Sequence, residues 1–109
     1  MTMIGGNTEV TIQHYDDVVI NEVGERVPKW KTLMTLTGWL DLMAGEAKYT
    51  YNVKLQESTH IFLCDHVELD KYVTNKRMKI DNDIYDILLI DDPMNMHQHL
   101  EIYLRYVGR

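Results

Sequence analysis

The side chains that could hold a metal or move a proton gather in the second half of the chain. Cys64 and His66 are two residues apart, a spacing that sets both on one face of a strand. His97 and His99 repeat it, and Asp91 and Asp92 lie nearby in sequence. Zinc takes thiolate, imidazole and carboxylate in tetrahedral sites. The paired knuckles of structural zinc sites are absent, however, so the expectation is that no metal is bound. Asp91 and Asp92 with His60, His97 or His99 could also serve a metal-dependent nuclease as acids, bases or ligands. A simpler reading ends a strand at Asp91-Asp92-Pro93, because Pro93 cannot donate and aspartates hydrogen-bond turns. His60, after Thr59, is expected to close a hydrogen bond at a strand start rather than to do chemistry. Neither a nucleophile–base pair nor a glycine-rich phosphate loop is present. The chain is therefore read as non-enzymatic, with no cofactor.

The elements that must position these residues are mostly strands. Residues 8–15 alternate, with Val10, Ile12 and His14 on one side. Residues 16–29 are polar and punctuated by Gly24 and Pro28, which predicts a hairpin or β-loop. Trp30 to Leu40 is a strand by composition, apolar on both faces for part of its length. From Leu40 to Leu55 the pattern is mixed. Leu40, Met43, Ala44, Ala47 and Tyr51 form a helical stripe that Asp41 could cap, while 49–53 alternates like a strand. Another strand is expected over Thr59–His66, then a crossover at 67–75 with Val67, Leu69 and Tyr72 tucked inward. Arg77–Ile80 and Ile84–Ile90 flank a tight turn at Asp81-Asn82-Asp83. A loop follows to Gln98. The final strand, His99–Val107, puts Leu100, Ile102, Leu104 and Tyr106 on one face, and Glu101, Tyr103 and Arg105 on the other.

About six strands in 109 residues predict a mainly β fold, a small antiparallel β-barrel with one long loop or short helix at 41–57. It is one domain spanning 1–109, with residues 1–7 expected to be disordered. Trp30 and Trp39 are expected as core anchors, Met78 as core filler, and Tyr85, Tyr103 and Tyr106 as core or inter-strand packing.

Composition narrows the function. Acids outnumber bases 17 to 11, for a net charge of −6, which argues against a sequence-independent binder that grips nucleic acid by neutralising phosphates. The one basic cluster, Lys76-Arg77 with Lys79, is expected to be a solvated strand start. No apolar run approaches the roughly 18 residues of a membrane helix, and the N-terminus lacks signal-peptide character. A single cysteine suits a reducing compartment. Synthesis in a cytoplasm, with no membrane partner, is the expectation.

The order of features resembles the phage head–tail joining family, the head-completion or stopper proteins of siphophages. The resemblance is carried by Val10-Thr11-Ile12-Gln13 leading to a Gly-containing hairpin and Trp30, and by the segment Asp41 to Glu57 with Glu46, Ala47 and tyrosines. Ser58-Thr59-His60-Ile61-Phe62 adds a Thr-His step before an alternating strand. Arg77-Met78, Ile84-Tyr85-Asp86-Ile87, Ile90-Asp91-Asp92-Pro93, His99 and Leu100-Glu101-Ile102-Tyr103-Leu104 complete it. Cys64-Asp65-His66 departs from the family, which often carries a basic residue and an aromatic there.

The resemblance implies a virion neck (connector) protein. It would form a homo-oligomeric ring of about 12 or about 6 copies beneath portal and adaptor proteins. The ring would close the DNA channel of the filled head, dock tail-end proteins, and let DNA pass without sequence-specific binding. The family's channel-gating loop maps onto Asp41, Leu42, Met43, Gly45, Glu46, Lys48, Tyr49, Tyr51, Lys54 and Glu57. Met94, Met96 and His97 are candidate subunit or tail contacts. The alternatives are a tail terminator or adaptor of the same neck, or a small cytoplasmic metal-dependent enzyme.

Overall fold

In the computed structural model, which describes residues 4–43 and 57–109, the chain is mainly β. Its strands are β1 (Thr8–His14), β2 (Val18–Ile20), β3 (Arg26–Pro28), β4 (Lys31–Leu42), β5 (His60–Asp65), β6 (Lys76–Ile80), β7 (Asp83–Asp91) and β8 (His99–Gly108). Six of them close an antiparallel barrel in the order β1-β4-β5-β8-β7-β6, while β2 and β3 make a separate two-stranded sheet. Closure is direct, since Thr11 to His14 of β1 pair with Lys79 to Lys76 of β6. The expected barrel is the observed one.

The interior is filled by the inward faces that alternation predicts. Val10 and Ile12 come from β1, Leu36 from β4, Phe62 and Cys64 from β5, and Met78 from β6. Tyr85, Ile87 and Ile90 come from β7, and Leu100, Ile102 and Leu104 from β8. A barrel this small leaves no room for a Cβ at every wall position. One built on Gly38 would stand 2.1 Å from the Leu63 carbonyl oxygen and 2.7 Å from Phe62 Cζ. Glycine there lets β4 and β5 close over the Phe62 ring.

Bulges set the curvature and the parity of the wall. The register of β7 on β8 jumps between Ile87 and Leu89, leaving Leu88 unpaired. Strict alternation from Tyr85 would turn Leu89 and Asp91 inward. The extra residue instead turns Ile90 and Asp92 inward, and both are buried. Two further jumps lie between Ile84 and Tyr85 on the same ladder and between Ile12 and Gln13 where β1 meets β4.

The expected turn at 81–83 is a two-residue connection: Ile80 pairs with Asp83, and Asp81 has φ 52. The hairpin expected within 16–29 is β2–β3, organised by Asn21, whose Oδ1 accepts from Val23 N and Glu25 N.

Other expectations are corrected. Neither tryptophan is a core anchor. Trp39 is exposed and donates from Nε1 to Ile4 O. Trp30 packs edge-on to Tyr15 and beneath the Arg77 guanidinium at 4.2 Å. These contacts use the rings as amphipathic clamps on the outer wall. Tyr72 is exposed and does not tuck inward; Val73 joins Val67 and Leu69 against the core instead. Lys76 is not solvated but buried. Its Nζ donates to Asp70 Oδ1 at 2.7 Å and Tyr72 O at 2.6 Å, fastening the crossover 67–75. Ahead of β1, Ile4 N donates to Asp65 Oδ1 and Asn7 N to Gly38 O, which leaves the expectation for residues 1–7 untested as a whole.

β4 runs on to Leu42, so Asp41 and Leu42 are strand residues facing Ile61 and His60 of β5, and Asp41 caps no helix. Met43 N continues the ladder by donating to Thr59 O. Ladder pairing overrides the weak helical stripe at this end of the segment. Gly45, Glu46, Lys48, Tyr49, Tyr51 and Lys54 lie outside the described residues.

Candidate functional site

The bulge at Leu88 delivers Asp92 to the barrel rim with a side chain only 2% exposed. Beyond it a single 3-10 turn, Pro93–Asn95, folds the chain back. Three non-glycine residues here take left-handed backbone: Met94 (φ 55), Asn95 (φ 55) and His97 (φ 56). Such conformations cost on the order of 1–3 kcal/mol each and persist where surrounding contacts enforce them.

The contacts that enforce them converge on Asp92. Its Oδ1 accepts from His97 N at 3.0 Å, and Asn95 N donates to Asp92 O at 2.8 Å. Asp92 Oδ2 lies 2.5 Å from His97 Nδ1 and 3.7 Å from His66 Nε2. His66 follows β5 and is held by its own N–H, which donates to Gln98 O. The two imidazoles lean on each other with centroids 4.8 Å apart. Burial pushes the Asp92 carboxyl up. The backbone and side-chain hydrogen bonds of His97, with the nearby imidazoles, outweigh that and hold it below the usual aspartate value.

The residues weighed as ligands thus separate. His66, Asp92 and His97 bring their ligand atoms within 4.8 Å of one another, the grouping with this chemistry among the described residues. Cys64 does not join them. It faces the barrel interior, and burial, with the charge of Asp65, pushes its thiol up to about 11, so it is an inert core thiol. His99 turns to the outer wall, where its Nε2 lies 3.2 Å from Glu101 Oε2. Tyr103 donates to the other oxygen of that carboxylate. Asp91 pairs across the ladder with Glu101 and stays outside the cluster. His60 Nδ1 lies 2.8 Å from Thr59 Oγ1, and its ring packs edge-on to Tyr85, the strand-start role expected of it.

Asp92 also performs the turn-closing role expected of an aspartate before proline. Met94 and Met96 project into solvent from the same loop, Met94 89% exposed. Glu57 lies outside the barrel strands, its Oε2 3.8 Å from Arg105 Nη1 of β8.

A second feature, which sequence reasoning missed, is the distribution of exposed apolar side chains. The β2–β3 hairpin carries Val18, Val19, Ile20 and Val23, with Ile20 70% and Val23 76% exposed. Its base sits beside the start of β4, because Lys29 N donates to Asp17 O and His14 pairs with Lys31. At the far end of β4, Leu42 is exposed beside β5, and Tyr106 and Val107 are exposed where β8 ends. Tyr106 N donates to Thr59 Oγ1, which fixes that residue at the same barrel end as Leu42. Two unlike apolar patches therefore stand at opposite ends of one 12-residue strand.

No family model and no curated protein matches the chain. Among solved structures, the chain is similar to protein SF1141 from Shigella flexneri 2a, a structural-genomics target determined in solution. The match has a TM-score of 0.70 at 17% identity and covers 97% of this chain and 96% of that one. At that identity the likeness is one of fold.

Proposed function

We propose that this protein is a structural component of a tailed-phage neck that acts by assembling with copies of itself and with head and tail proteins. The observation that carries the reading is the pair of unlike apolar patches at opposite ends of β4. Side chains such as Ile20, Val23 and Leu42 lie open to water on a small acidic domain, where they favour burial in a partner. A two-fold dimer would join like to like. Unlike surfaces at opposite ends suit head-to-tail contacts, which close into rings when the rotation allows.

The family resemblance of the sequence supplies the setting: a ring under the portal and adaptor that retains DNA and receives the tail. The closed barrel and the net charge of −6 suit a ring around passing DNA, which is repelled rather than gripped. The barrel also accords less with the mostly helical adaptor kind than with the stopper kind.

The test is reconstitution. DNA-filled heads assembled without this chain should release DNA and fail to join tails, and adding the purified protein should restore both. Heads that retain DNA and accept tails equally well without it would refute the neck assignment.

A further inference from the structure

We propose that His66, Asp92 and His97 form a binding site for one divalent transition-metal ion, with zinc the ion their chemistry suits best. The inference departs from the expectation of a metal-free protein that sequence spacing gives, and it stands independently of the neck assignment.

Two imidazoles and one carboxylate are a zinc donor set, and three protein ligands leave a fourth position for water or a further donor. Zinc–ligand bonds of about 2.0–2.1 Å place neighbouring tetrahedral ligand atoms roughly 3.3 Å apart. His66 Nε2 and Asp92 Oδ2, at 3.7 Å, already stand near that separation. His97 Nδ1, at 2.5 Å from the same oxygen, is too close for both to ligate and must withdraw. The imidazoles must also draw nearer, since the ligand atoms span up to 4.8 Å. The whole adjustment is on the order of 1 Å given those bond lengths. His97 is free to make it, its side chain 60% exposed.

Asp92 is the fixed point. Its Oδ1 is already occupied by the His97 backbone N–H, which orients Oδ2 toward the histidines as an outer hydrogen bond orients a ligating carboxylate. A cation entering here takes the place of the proton between His97 Nδ1 and Asp92 Oδ2, and that proton goes to solvent. Nε2 then carries the ring's one N–H, so His97 ligates through Nδ1 as a neutral imidazole. Softer ligands are absent from the group, and hard cations such as calcium prefer all-oxygen shells.

The experiment is calorimetric titration of the metal-stripped full chain with Zn2+ alone, backed by the visible spectrum with Co2+. The expected result is one ion per chain and the intense bands of four-coordinate Co2+. His66→Gln and His97→Gln should each weaken Zn2+ binding by about tenfold or more. His99→Gln, which removes the separate pair with Glu101, should leave affinity unchanged. Neither His66 nor His97 is buried, so both variants should retain the barrel's circular dichroism, whereas Asp92→Asn could unfold the rim. Wild-type protein that takes up no stoichiometric Zn2+ overturns the proposal. So does affinity that survives either histidine substitution, or that falls equally with His99→Gln.

Discussion

At the scale of single residues, polar groups taken out of water decide how the surface of this barrel is fastened. His60 is half-buried at the start of β5, and burial lowers its imidazole from the ordinary 6.5. The fold therefore prefers the neutral ring, and the unfolded chain takes up a proton first as pH falls. Its contribution to stability is complete above about pH 6.5 and declines as pH falls through the folded value. Urea denaturation at about pH 8 and about pH 5.5 should show this loss, and His60→Gln should reduce the difference between the two. An unchanged difference would remove His60 from the account. Lys76 offers a second test. Its ammonium holds the Asp70 carboxyl below the usual range, chiefly by their hydrogen bond, and also satisfies the Tyr72 carbonyl. Lys76→Ala should cost about 1–3 kcal/mol by removing a buried side chain together with its hydrogen bonds to Asp70 and Tyr72, measured as a shift in denaturation midpoint. Asp70→Ala should cost less, because the Asp70 side chain is 68% exposed.

At the scale of elements, the strands and their inward faces were legible because alternation is a direct consequence of pleat geometry. Val10 and Ile12, or Leu100, Ile102 and Leu104, declare their face without help. The bulge at Leu88 was not legible. Ile87-Leu88-Leu89-Ile90 is apolar throughout, so nothing in the order of residues marks where parity changes, and only pairing with β8 reveals it. The candidate site was half-legible for the same reason. His66, Asp92 and His97 were each noticed, but their grouping depends on that bulge and on three left-handed residues in the following loop. Cys64 and His66 looked like partners by spacing, yet β5 ends between them. Asp41 and Leu42 looked like the entry to a loop, yet the ladder with β5 extends through both. The β4–β5 contact tolerates little added bulk. Gly38→Ala should cost about 3 kcal/mol or more, at the upper end of overpacking, because the added carbon meets backbone as well as the Phe62 ring. Thermal unfolding measures it, and a loss under about 1 kcal/mol would show that β4 and β5 can separate at little cost.

At the scale of the whole molecule, the barrel closes through β1 and β6, and apolar side chains exposed at its ends offer surface for association. Part of the exposed apolar surface is the hairpin at one end of β4 and the Leu42, Tyr106 and Val107 group at the other. The hairpin contributes nothing to the buried core, so its face can be changed without threatening the fold. Sedimentation of the intact protein over a wide concentration range, beside Ile20→Asp and Leu42→Asp, tests the assembly most directly. The account predicts that the wild-type chain converges on a single closed oligomer. Each variant alone should stay monomeric and folded, and an equimolar mixture of the two should form only open dimers through their intact ends. A wild-type chain that remains monomeric at every concentration, or variants that assemble as it does, would contradict assembly through the two ends of β4.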